Sequence, residues 1–170
     1  MDSKYEHGKF IIERFDHYYD SVNNKGAFYI GLNTFIFSGI CVGYTTLFGK
    51  VNAQPGIWIL MIGLLACCLL STLFTIRAIM PFLKDNQHRN PQPSLLYFGG
   101  IARHELPHFK EKFQSLGGSE MLDDLVQQAH CLAMGLDQKY KNLKRASHFV
   151  VAQFLIMVPL LLFVAKNLKQ

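Results

Sequence analysis

The stretch Leu122–Ala165, LDDLVQQAHCLAMGLDQKYKNLKRASHFVVAQFLIMVPLLLFVA, begins as a sequence suited to water and ends as one suited to hydrocarbon. Leu122, Leu125, Val126, Ala129, Leu132, Ala133, Leu136, Tyr140 and Leu143 recur at helical steps and form one apolar stripe. No breaker marks the junction with the wholly apolar run FVVAQFLIMVPLLLFVA, Phe149–Ala165. A single helix is therefore expected to leave water and enter lipid. At 1.5 Å per residue that run is the shortest of three in the chain and is still long enough to cross the roughly 30 Å of a bilayer core. Gln153 and Pro159 weaken it further, so a tilted or thin span fits it best.

Two more runs have the same character. GAFYIGLNTFIFSGICVGYTTLF covers Gly26–Phe48, and PGIWILMIGLLACCLLSTLFTI covers Pro55–Ile76 and continues into RAIMPF. Half of the 170 residues are hydrophobic and only 17% are charged, where a soluble domain carries about a quarter. The expected fold is therefore all-α: a membrane protein with three transmembrane helices, two of them extending into a cytoplasmic helical stalk. The expected divisions are an amphipathic helix over 1–25, a first span over 26–48, a second over 55–82, an aqueous helical region over 83–148 and a third span over 149–166. The first 25 residues are polar, with no separate apolar core or cleavage site. The first span is thus expected to serve as its own insertion signal.

Charge sets the orientation. Lys50, Lys166 and Lys169 lie on one side of the three spans. Every Asp and Glu, and nearly all the other cations, lie on the other. The positive-inside rule places that richer side in the cytoplasm, with the N-terminus and the 83–148 region. Because acids and bases are mixed there, the net charge of +5 argues for a folded body and not for nucleic-acid binding.

Ahead of the first span, Ile11, Phe15, Tyr18 and Val22 make one stripe, and one long helix is expected from about Lys9 to Phe48. Pro55 suits the first position of the second helix, and Pro81 should end it. The segment KDNQHRNPQP, 84–93, reads as a linker. In SLLYFGGIA, 94–102, the Gly99–Gly100 pair should interrupt a helix or strand. Pro107 should open a short helix stopped by Gly117–Gly118, and Ser119 should cap the helix that follows.

His104-Glu105-Leu106-Pro107-His108 matches the H-E-x-x-H signature of zinc peptidases. That signature needs both histidines on one helical face, and proline before the second breaks the face. The preferred reading is a polar loop followed by a helix start, with no metal. Cys41, Cys67 and Cys68 lie in spans and Cys131 in the aqueous part, with no Cys-x-x-Cys pair. They read as apolar filler. No nucleophile–base pair, phosphate loop or carboxylate dyad stands out, so no enzyme activity and no cofactor are expected.

Polar groups in costly places are the candidates for function. Arg77 near the end of the second span either snorkels to the headgroups or faces an acidic ligand or a partner helix. Asn33, inside the first span, needs a partner and should face another helix. Lys25 stands where the first span begins. Tyr97 and Phe98 suit either core packing or stacking on a base, and Gly99–Gly100 an amide nest. Lys139, Lys141, Lys144 and Arg145 mark the boundary before the third span. The candidate ligand-binding set is Lys25, Arg77, Tyr97, Arg103 and Lys139, with Asn33 as the intramembrane polar residue.

DSVNNKGAFYIGLNTF, RAIMPF, NPQPSLLYFGGIA and QQAHCLAMGLDQKYKNLKRA, in this order, resemble the transmembrane effector family of the Pycsar antiphage systems. The resemblance covers most of the chain. It places family residues at Lys25, Asn33 and the Lys139–Tyr140 pair. The family often has an arginine after the proline of the second span; here Phe82 follows Pro81 and Arg77 precedes it. The resemblance implies a bacterial inner-membrane effector whose cytoplasmic part, with 83–148 as its sensor region, responds to cyclic UMP or cyclic CMP made by a partner nucleotide cyclase. The effector would then impair the membrane and cause abortive infection, as a homo-oligomer. From another class, the competing expectation is a membrane scaffold or adaptor whose stalk binds a protein.

Overall fold

In the computed structural model, residues 2–47, 55–81 and 94–167 are described. They form five helices: α1 (Asp2–Leu47), α2 (Pro55–Ile79), α3 (Phe98–Ile101), α4 (Leu106–Ser115) and α5 (Gly118–Asn167). There is no strand among the described residues. α1, α2 and α5 are each long and apolar enough to cross a membrane. The segment 49–54, which the sequence leaves as a tight turn between the first two apolar runs, and the linker over 84–93 lie outside the described residues.

α1 has 46 residues, about 69 Å at 1.5 Å per residue. It begins well before Lys9, because Gly8 lets the first turns lie against α5: a Cβ on Gly8 would stand 2.6 Å from Leu125 Cδ2. α2 begins at Pro55, whose missing N–H costs nothing in a first turn. α5 keeps its helix through Pro159 and spans 50 residues.

The chain divides into two compact units. The first comprises residues 1–20 and 81–138, so it takes the start of α1, all of α3 and α4, and the first part of α5. Gly99 and Gly100 do not interrupt structure there, as the sequence suggested; they form the centre of the one-turn α3. Ser94 Oγ accepts hydrogen bonds from the Leu96 and Tyr97 N–H groups at 3.1 and 3.0 Å, which starts the turn. Gly100 then packs onto the Ser94 backbone where a Cβ would collide with the carbonyl oxygen. Asp124 of α5 anchors the segment by accepting the Leu95 N–H at 2.9 Å. Tyr19 Oη donates to the Leu132 carbonyl at 2.9 Å, and burial, then the nearby Asp16 carboxylate, raise its pKa.

α4 starts at Leu106, with Glu105 as its extended N-cap and Pro107 in its first turn. His104 lies outside it, though the His104 and His108 rings approach to 5.5 Å. No group of three His, Cys, Asp or Glu among the described residues can hold a metal. α5 begins at Gly118, so Ser119 lies inside the first turn and is not its cap. The cap belongs to Gly117, whose carbonyl accepts from Met121 N and whose N–H donates to Glu120 Oε2 at 3.2 Å. Glu120 reaches back as the acid of a capping box does, which leaves Ser119 no capping role.

The second unit comprises residues 21–80 and 139–170. Val22, Ile36, Ile57, Leu64, Ala78, Leu143, Ala146 and Val150 make its apolar interior. Gly26 lets α1 meet α2 closely, since a Cβ there would stand 2.7 Å from the Ile79 side chain. Phe35, Ile59 and Leu155 point outward at 78%, 69% and 70% exposure, one on each of the three helices. Large apolar side chains turned outward on every helix are what a lipid surround requires. All twelve acidic residues of the chain lie in the first unit and none in the second.

Candidate functional site

The interior of the second unit is where polar chemistry concentrates. Asn33, Ser71, Thr75, Lys139, Asn142 and Gln153 are its buried polar residues. An unpaired amide in a bilayer interior is expensive, so such groups must find one another across helices. Asn33 of α1 does so in both directions. Its Nδ2 donates to Ser71 Oγ of α2 at 3.0 Å, and its Oδ1 accepts from Gln153 Nε2 of α5 at 3.0 Å. Ser71 Oγ donates to the Ala146 carbonyl at 3.4 Å, and Cys68 Sγ to the Asn33 carbonyl at 3.3 Å. Thr75 Oγ1 turns back on the Ser71 carbonyl at 2.8 Å. One amide thus joins the three membrane-crossing helices.

The network is not complete. Gln153 is fully buried, and its Oε1 has no hydrogen-bond partner among the described residues. An orphaned buried acceptor costs about 1–3 kcal/mol.

A second polar feature closes the end of α2. Lys139 Nζ donates to the Ala78, Ile79 and Met80 carbonyls at 2.8, 2.8 and 2.9 Å. These are among the last carbonyls of the helix, left without amide partners by the geometry of a helix end. An ammonium has three donors, and here they meet three acceptors at the negative end of the helix dipole. Lys139 lies ahead of the apolar run of α5, and desolvation by burial lowers its pKa from the ordinary lysine value.

A third feature faces outward. The Phe74 ring of α2 stacks on Phe149 of α5, with centroids 5.7 Å apart and planes 6° from parallel. The Cζ atoms of Arg77 and Arg145 stand 6.0 and 5.7 Å from the centroid of that same Phe74 ring.

Of the residues singled out in the sequence, Asn33, Arg77, Lys139 and Lys25 belong to the second unit, and Tyr97 and Arg103 to the first. Lys139 is buried and caps α2, while Arg77, on the last turn of α2, is exposed. Lys25 is exposed. Tyr97 is half-buried and covers Gly99, its ring 4.6 Å from that of Phe98. Arg103 is exposed, with its N–H on the Gly100 carbonyl at 3.1 Å. Gln153, Ser71 and the Phe74–Arg145 contact escaped the sequence reading. Gln153 carried a usable signal, since a primary amide inside an apolar run asks for a partner.

A membrane-crossing helical unit tied by one amide, together with a mixed-charge helical unit, agrees with what comparison of the whole chain finds. The family model described as the Pycsar effector protein domain matches residues 7–166. The chain belongs to the Pycsar effector family. A membrane effector of antiviral defence fits that family and the three apolar helices. No curated protein and no solved structure matched the chain.

Proposed function

We propose that this Pycsar effector senses a cyclic pyrimidine mononucleotide, cyclic UMP or cyclic CMP, with its first unit and impairs the bacterial inner membrane through its second, so that infection aborts. The family match over residues 7–166 carries this reading. The N-terminus and the first unit lie in the cytoplasm, on the side where a nucleotide cyclase delivers its product. Charge supports that orientation, because the cation-rich loops belong on the cytoplasmic side.

The fold offers a route for the signal. α1 and α5 each contribute residues to both units. A ligand shifts a conformational equilibrium only by its difference in affinity for the two states. Here the resting state is held by Asn33 hydrogen bonds and burdened by the Gln153 Oε1 orphan, so a modest ligand preference suffices to repack the spans. The active form is a homo-oligomer, in which repacked spans of neighbouring copies act together on the bilayer. Tyr97 and Arg103 are the contacts proposed for the base and the phosphate in the first unit. The protein acts by binding and not by catalysis.

Calorimetry on the full-length protein in detergent tests the sensing step. Saturable binding of cyclic UMP or cyclic CMP, weakened by Tyr97→Ala and Arg103→Gln, is the expected result. Binding of neither nucleotide removes the proposal. In cells, a potential-sensitive dye should report depolarisation only when a matching cyclase is active.

A further inference from the structure

Arg77 and Arg145 are exposed cations in a unit that contains no Asp or Glu. Their neighbour is an aromatic pair: both guanidinium groups lie within 6.0 Å of the Phe74 centroid, and Phe149 backs that ring. Two like charges sharing one ring repel each other, and no carboxylate side chain in their own unit neutralises them.

Depth sharpens the problem. Lys139 meets the carbonyls of Ala78–Met80, and the Ala146 carbonyl meets Ser71. α2 and α5 therefore run antiparallel, and on this register Arg145 lies close to Thr72. That is about one helical turn further along the apolar run of α2 than Arg77. A guanidinium beside an apolar segment reaches back toward polar partners, and the Arg145 side chain turns to the Phe74 ring that Arg77 also holds. The two guanidinium groups thereby gather around one ring, and both residues are exposed.

We propose that Arg77 and Arg145 form a two-armed clamp for a phosphodiester anion, with the Phe74–Phe149 stack as its floor. The chemistry favours phosphate over a carboxylate or a halide. Two guanidinium forks need more acceptors than the two oxygens of a carboxylate or the single atom of a halide; the four oxygens of a phosphodiester can meet both forks bidentately, and the aromatic floor holds the guanidinium groups by cation–π contact. Two molecules offer this group: an anionic phospholipid headgroup and the cyclic phosphate of a mononucleotide. The clamp does not depend on the function proposed above, since the lipid alone can fill it.

The test uses full-length protein in neutral detergent. Native mass spectrometry follows retention of phosphatidylglycerol, and calorimetry follows cyclic UMP and cyclic CMP. The protein carrying Arg77→Gln with Arg145→Gln should lose at least tenfold in affinity on one arm, while Lys166→Gln changes neither. A loss for phosphatidylglycerol identifies the headgroup as occupant, and a loss for the nucleotide identifies the messenger phosphate. Arg145→Lys keeps the charge and the helicity, so it reads the clamp even where the glutamine pair disturbs folding. It should bind several-fold more weakly than wild type, because an ammonium cannot replace the fork, and full affinity in that variant overturns the clamp. So does unchanged binding on both arms, or wild-type protein that takes up neither probe. Nucleotide binding that ignores both arginines, together with lipid retention that also ignores them, refutes the clamp and leaves the proposed sensing intact. Lipid binding that needs them, with no nucleotide bound, does the reverse.

Discussion

Substitutions at Asn33 and Gln153 should show a non-additivity that follows from counting unpaired atoms. In the native network one amide atom is orphaned, Gln153 Oε1. Asn33→Leu removes the acceptor of Gln153 Nε2 and leaves both ends of a fully buried amide unpaired. Ser71 keeps its contact with the Ala146 carbonyl. A newly orphaned buried group costs about 1–3 kcal/mol in general, and interhelical hydrogen bonds in membranes average about 0.6 and reach about 1.7 kcal/mol. Asn33→Leu should therefore cost about 1–2 kcal/mol. Gln153→Met exchanges one orphan for another: Oε1 disappears and Asn33 Oδ1 loses its donor. Its stability should stay within about 0.5 kcal/mol of wild type. The double substitution leaves neither amide in the core and should be more stable than Asn33→Leu alone by about 1 kcal/mol. Reversible unfolding in mixed micelles with rising dodecyl sulfate, followed by circular dichroism, measures all four species. A double variant no more stable than the Asn33→Leu single variant would refute the orphan argument.

Lys139→Met retains the length of the side chain and removes the ammonium. The buried Ala78 carbonyl loses its donor while Met80, at the exposed end, can turn to water. A net loss of about 2 kcal/mol is expected, with relief of ammonium burial offsetting part of the broken cap. Hydrogen exchange should show the last turn of α2 fraying before the rest, and protection equal to wild type would contradict the capping role. Gly100→Ala should destabilise the first unit, because its Cβ meets the Ser94 backbone and not a flexible side chain. Gly31→Ala, with nothing within 4 Å of the added Cβ, should be neutral or slightly stabilising. Thermal unfolding of the two variants side by side tests the contrast, which fails if Gly100→Ala is as stable as Gly31→Ala.

The lengthwise plan of the molecule was legible because hydrophobicity and helical period are written along the chain. The apolar runs, the start at Pro55 and the unbroken passage of α5 into its apolar run all follow from local residues. What escaped depends on contacts between distant segments. The partners of Lys139 are backbone carbonyls, which no residue type announces. Gly100 reads as an interruption until Ser94 is found across from it, and nothing local announces that Gly8 faces Leu125. Ser119 looked like a cap because serine often is one, yet α5 already starts at Gly118, with the Gly117 carbonyl accepting from Met121 N and the Gly117 N–H donating to Glu120. For the site, Asn33 was legible as a group in need of a partner, while the identity of its partners was not. Arg145 passed for one member of a basic cluster because its contact with Phe74 joins two helices that the sequence keeps far apart.

The first unit draws on two separated stretches of chain, residues 1–20 and 81–138. No simple truncation excises it: a fragment starting at residue 81 arrives without the α1 turns that carry Gly8 and Tyr19. A soluble version for crystallography or screening would have to splice the two pieces with a short artificial tether in place of the spans. If ordinary deletion fragments bind nothing, the cause would be missing architecture, and the binding capacity of the intact molecule would have to be measured on the intact molecule.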